Sequence, residues 1–147
     1  MVITFAVLAD YANVTRDGKL NVMGIFDRVF ARQLPGRFPV MQLVIRLDAE
    51  YAELDTEHAL RIQLADPDGQ PLFDINAGFT PRGGREGESA SINHVVRLSD
   101  LPLHRPGRHR ILIWVDGRLE REVPLKVDEA PHPPTADPDP GSEPMVH

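Results

Sequence analysis

The chain has 147 residues, 41% of them hydrophobic, and a formal charge of −6. That suffices for one globular domain with a single core, and the absence of cysteine excludes a disulfide framework, a thiol nucleophile and Cys-ligated zinc or iron–sulfur centres. The acidity is terminal: residues 128–147 hold Asp128, Glu129, Asp137, Asp139 and Glu143 without Lys or Arg, leaving about −1 for residues 1–127, so no broad basic field exists for nucleic acid.

In chain order, MVITFAVLADYA lacks a basic n-region and its apolar run breaks at Asp10. It reads as a first strand, not a signal peptide or membrane span, and the cytoplasm is the default compartment. Strand patterns recur near 2–13, 19–31, 40–48, 58–65, 71–76, 90–98, 108–116 and 119–127. Helical periodicity is nearly absent, with at most a short turn in EYAELDTEHALRI (50–62). The expectation is an all-β protein: a single β-sandwich of about eight strands, immunoglobulin-like or jelly-roll, spanning residues 1–127.

The first hairpin can be read in two registers. A two-residue turn at Asp17-Gly18 makes opposite residues sum to 35 and brings Asp10 diagonal to Asp27, close enough to share a cation or proton. A three-residue loop, Arg16-Asp17-Gly18, makes the sum 34 and pairs Val14 with Leu20, Ala12 with Val22, and Leu8 with Phe26. The second register separates apolar from polar residues more cleanly and is preferred, because a one-residue slip exchanges the faces. It leaves Asp10 opposite Gly24 on an apolar face. Asp10 is therefore expected to be a buried structural anchor needing a partner.

Later segments are equally patterned. Leu60, Ile62 and Leu64 share one face, as do Ile111, Ile113 and Val115, while Arg110, Leu112 and Trp114 suggest that the second of these strands is covered on both sides. In LEREVPLKV, Leu119, Val123, Leu125 and Val127 share a face with Arg121, and Pro124 marks an edge or a bulge. Asp17-Gly18, Asp68-Gly69 and Asp116-Gly117 are turn chemistry. GFTPRGGREGES (78–89) reads as a mobile surface loop, and residues 128–147, with six prolines, as an acidic, disordered tail.

The string ADYANVTRDGKLNVMGIFDRV resembles the N-terminal signature of an uncharacterised family of small bacterial all-β proteins. LRIQLADPDGQPL, LSDLPLHRPGRHRILIWVDG and VPLKV fit the same pattern. The resemblance covers about residues 2–127 and implies a fold and a bacterial origin, with no activity or site residues attached.

Chemistry-bearing motifs are sparse. Arg82 and Arg85 flank two glycines whose amides could form an anion nest, though no P-loop completes it. LPLHRPGRHRILIW (101–114) is the densest basic run, and its Arg105 and Arg108 are the other ligand-binding candidates. In the same run His109 stands where immunoglobulin-like sandwiches place a corner tyrosine that ties down a turn. The histidines have no metal-ligand spacing, Ser89, Ser91 and Ser99 lack a nucleophile elbow, and Asp66, Asp68 and Asp74 are explained by a turn more simply than by calcium. No catalytic residue, metal or cofactor is expected. The leading functional reading is a non-catalytic protein-binding or scaffold module, with a protein partner or self-association through a sheet edge. The alternative is a small-anion binder or enzyme combining the 78–89 loop with the 101–110 corner.

Overall fold

The computed structural model describes residues 1–83 and 85–131, and within them the chain forms nine strands and one short 3-10 turn. These are β1 (Val2–Val14), β2 (Leu20–Phe26), β3 (Arg28–Ala31), β4 (Gly36–Ala49), β5 (His58–Ala65), β6 (Pro71–Phe79), β7 (Ala90–Leu103), β8 (Gly107–Val115) and β9 (Arg118–Glu129). One sheet has the order β2-β1-β4-β7 and the other β3-β9-β8-β5-β6. With β1, β4 and β7 as strands A, B and E and β5, β8 and β9 as C, F and G, this is immunoglobulin-like connectivity, β6 extending the second sheet as in variable-type domains. That settles the choice against the jelly roll.

The alternating residues read from the sequence meet between the sheets. Leu60, Ile62 and Leu64 of β5, Ile111, Ile113 and Val115 of β8, and Val123, Leu125 and Val127 of β9 are buried against Leu43, Ile45 and Leu47 of β4. Each fully buried aliphatic side chain contributes on the order of 1.5–3 kcal/mol. Leu119 departs from its expected face and is 48% exposed. A bulge between Ile113 and Trp114 sets Leu119 opposite Trp114, and the extra residue exchanges the faces of the strand.

Other boundaries moved for identifiable reasons. The single segment expected at 19–31 is two strands, because the chain leaves the first sheet at Asp27 and β3 joins the second sheet parallel to β9. Pro124 lies on an interior strand, yet β3 pairs with β9 only from Lys126 onward, so the missing amide falls where β9 has no β3 neighbour. The helical turn is confined to Tyr51–Glu53, where the Glu53 side chain accepts the Glu50 amide at 3.0 Å. Asp128 and Glu129, placed in the tail on sequence grounds, belong to β9, and the Ala130 amide donates to Ala31 O at 2.8 Å. The rest of the expected tail, 132–147, lies outside the described residues.

The first hairpin has the 34-sum register, with Leu8 opposite Phe26, Ala12 opposite Val22 and Val14 opposite Leu20. Its loop is closed by Thr15 N to Lys19 O at 2.8 Å and Gly18 N to Thr15 O at 3.0 Å, with Gly18 at φ +85. One apolar stripe nevertheless serves two cores. Leu8 and Phe26 pack in the main core, whereas Ala12, Val22 and Leu20 join Val7, Ala9, Val44 and Val95 in a second cluster.

The cause is a reversal at Asp10–Gly24. A straight strand would carry the hairpin tip about 33 Å beyond Thr4. Instead Asn93 Nδ2 donates to Gly18 O at 3.4 Å. Asn93 pairs with Arg46, and Arg46 with Phe5, so the tip has returned to the level of Phe5. Gly24 has φ +70, and a Cβ there would collide with the Asp10 carboxylate.

The reversal corrects the expectation for Asp10. It is exposed rather than buried, because its partner Gly24 has no side chain and the carboxylate lies over bare backbone in reach of solvent. Gly24→Ala is expected to cost about 2 kcal/mol, combining left-handed strain with the collision. Asp10→Ala alone is expected to stay within about 0.5 kcal/mol, and the double variant to recover part of the loss, keeping about 1 kcal/mol of strain and a tight approach of the two Cβ atoms. Urea unfolding of the three variants measures this, and a neutral Gly24→Ala would show that the reversal does not need glycine.

Candidate functional site

The reversal leaves part of the hairpin facing solvent. Tyr11 and Met23 stand directly opposite each other and are 49% and 62% exposed, and Ile25, two residues further along β2, is 58% exposed. β2 is an outer strand of its sheet, so these apolar side chains lie beside a row of unpaired backbone donors and acceptors. Just beyond Ile25, a shallow depression of about 350 Å³ is lined by Leu8, Ile25, Phe26, Asp27, Val123 and Pro124 among others. Exposed apolar side chains along an open edge are the surface chemistry of a protein contact.

The four arginines singled out from the sequence do not form one site. Arg82 and Arg85 are exposed in the segment after β6, which is tied to the 51–55 turn by Asp55 N to Pro81 O at 2.8 Å. Gly78 and Phe79, expected in this loop, belong to β6, where Phe79 pairs with His58. Arg105 and Arg108 sit at the opposite end of the second sheet, near Ala65–Gln70. Arg105 is already occupied: it pairs with Asp68 and lies 3.8 Å from Asp66. The anion site combining the 78–89 loop with the 101–110 corner is therefore ruled out, because the length of β5 separates its two halves.

The acids of the DPDG turn are similarly committed. Asp66 Oδ1 accepts the amides of Asp68 at 2.9 Å and Gln70 at 2.8 Å. Burial works to raise the Asp66 pKa, but these donors and the Arg105 charge leave it below its ordinary value. Asp74 faces Arg61, which donates from Nε and Nη2 at 3.1 and 2.6 Å and stacks 5.0 Å from the Trp114 ring. That side chain provides part of the outer cover expected for β8. His109 is fully buried, and its Nδ1 donates to Gly107 O at 3.1 Å, which is how a histidine can replace a corner tyrosine.

One polar cluster had no sequence signal. Asp116 adopts φ 51 in the β8–β9 turn, as Asp-Gly chemistry requires, but its carboxylate also reaches β5. Asp116 Oδ2 is 2.6 Å from His58 Nδ1, and Oδ1 accepts the Ala59 amide at 2.9 Å. His58 Nε2 is 2.7 Å from Glu53 O and 3.0 Å from Thr56 Oγ1. Superficially this is an acid–histidine–hydroxyl series. Glu53 O can only accept, however, so Nε2 must carry a proton and cannot take one from Thr56. The arrangement braces a doubly protonated imidazolium. The 58 positions between the partners explain why spacing could not reveal it.

The fold and this surface define an immunoglobulin-like sandwich domain with a folded-back N-terminal hairpin. Within that class, the chain belongs to a family of unknown function, DUF6941, which matches residues 4–128. No curated protein matches it. It is similar in structure to the alkylpurine DNA glycosylase AlkC of Pseudomonas fluorescens bound to abasic-site DNA, at 12% identity and a TM-score of 0.44 over 84% of this chain; the chain spans 30% of that protein's length. It is also similar to an immunoglobulin-like protein of Pseudomonas aeruginosa, at 18% identity and a TM-score of 0.39, over 86% of this chain and 94% of that one. Among the described residues no helix is long and apolar enough to cross a membrane.

The His58 brace sets a pH dependence. The hydrogen bond to Asp116, then that to Glu53 O, raises the His58 pKa above 6.5, and the same contact with His58 holds Asp116 below 3.8. The contribution of His58 is complete below pH 6.5 and is lost as pH rises through its folded value. That of Asp116 is lost as pH falls below 3.8 through its own folded value. Burial lowers the pKa of His94, which acts below 6.5, so the decline above that pH belongs to His58. Urea unfolding at pH 7, 7.5 and 8 is expected to show falling stability for this chain and a flatter profile for His58→Gln.

Proposed function

We propose that this protein is a non-catalytic protein-binding or scaffold module of the bacterial cytoplasm, engaging a protein partner or a second copy of itself through the β2 edge. The observation that carries this reading is the exposed trio Tyr11, Met23 and Ile25 beside an unpaired strand edge. Leaving such residues in water has no structural benefit for an isolated domain, whereas burying them against a partner removes apolar area at about 25 cal/mol per Å². The asymmetry within the hairpin supports the same reading, since Ala12, Val22 and Leu20 already supply its inward packing. The geometry at His58 favours a non-catalytic role, because both ring nitrogens are held by acceptors.

A Met23→Ser/Ile25→Ser variant tests the proposal. It is expected to stay folded, with a melting temperature within a few degrees of the parent chain, because both side chains are already solvated. Light scattering across a concentration series and cross-linking in the native host are expected to reveal a dimer or a defined protein partner for the parent chain and neither for the variant. A monomeric parent chain whose cross-linked partners the variant retains would overturn the reading.

A further inference from the structure

The outer face of the second sheet carries three cations in direct register. Arg28 of β3 stands opposite Lys126 of β9, and Lys126 opposite Arg108 of β8. Their chain neighbours Val29, His109, Leu125 and Val127 are buried, so by alternation the three side chains share the solvent face. Neighbouring strands lie about 4.8 Å apart, which spreads the three charges over about 10 Å. Like charges directly opposite each other destabilise a sheet.

Acids of the fold relieve this crowding only in part. Asp128 Oδ2 lies 3.3 Å from Arg28 Nε, and Glu122 holds Arg110, the next outward residue of β8, at 3.4 Å. Among the described residues, Lys126 and Arg108 have no acidic partner. The row floors a depression of about 340 Å³ lined by Asp27, Arg28, Arg108, Arg110, Pro124 and Lys126 among others. Among the described residues, two of the three cations in the row thus have no acidic partner where the surface is concave.

We propose that this depression binds a phosphoryl group, seated over Lys126 with the Arg28 and Arg108 guanidiniums on either side. Arginine forks suit tetrahedral phosphoryl oxygens, and an ammonium between them supplies a point charge. A dianion neutralises both unpaired cations, whereas a carboxylate neutralises one. Asp27, the one acid among the lining residues, opposes a long polyanion and leaves room for a compact one. The depression adjoins the one beyond the β2 edge, sharing Asp27 and Pro124 with it, but its cations are not part of that edge, so substitutions at Lys126 and Arg108 test it separately from the protein-binding reading.

Amide chemical shifts of the full chain, titrated with inorganic phosphate and separately with a phosphoserine tetrapeptide and its unphosphorylated form at constant ionic strength, test the proposal. Saturable shifts confined to residues 27–28, 108–110 and 125–126 are expected for the phosphate-bearing probes alone. Lys126→Gln and Arg108→Gln are each expected to weaken binding about tenfold or more. Their melting temperatures should be equal or higher, since a like-charge contact is relieved. Arg97→Gln, on the other sheet, should bind as the parent chain does. Tighter binding of the phosphopeptide would assign the phosphoryl group to a protein source, and tighter binding of inorganic phosphate to a small-molecule source. Shifts that do not saturate, that chloride reproduces, or that persist in Lys126→Gln would overturn the assignment.

Discussion

The molecule depends on the reversal of its first hairpin at Asp10 and Gly24. The outer face of β1, β4 and β7 carries Val7, Ala9, Val44 and Val95, too much apolar surface to leave in water. No helix or third sheet is present among the described residues to cover it. The hairpin does so itself, and a residue without a Cβ meets the backbone required at position 24 without strain or collision. The register below the reversal, with Phe26 opposite Leu8, sets where the chain crosses at Asp27 for β3 to pair with β9. The solvent-facing position of Tyr11 and Met23 is a consequence of the reversal itself.

Charged side chains act mainly as ties between elements adjacent in space. Asp116 links the β8–β9 turn to β5, Arg105 links the corner after β7 to the DPDG turn, and Arg61 links β5 to β6 while covering Trp114. Most of these pairs are exposed, so each contributes little to stability. Their collective effect is on geometry. The first two each fix a loop at an end of the sandwich, the third ties two neighbouring strands, and each removes a charged group from the set available for a ligand. Among the described residues, Arg108 and Lys126 stand out because they are not used in this way.

Legibility in the sequence followed the range of the interaction. The 34-sum register was readable because polar and apolar residues segregate along two strands joined by three residues, and a slip would invert them. The His109 tie was readable because its acceptor is two residues away. The burial of Asp10 was misjudged because alternation assumes an unbroken strand, and the reversal exchanges the faces there. The joint arginine site failed because nothing local records that the β6–β7 segment and the β7–β8 corner leave opposite ends of the same sheet. The Arg28–Lys126–Arg108 row combines strands from three parts of the chain, and no one segment signals it.

The sequence by itself determined the all-β class, the main core faces of β5, β8 and β9, the hairpin register and the Asp-Gly turns, because each rests on alternation or on backbone preferences within a few residues. Tertiary structure decided the immunoglobulin-like connectivity, the parallel seam of β3 on β9, the folding-back of the hairpin and the pairing of every long-range charge. Those outcomes depend on which apolar surfaces remain uncovered once the strands have formed, and that is a property of the assembled sheets rather than of any one segment.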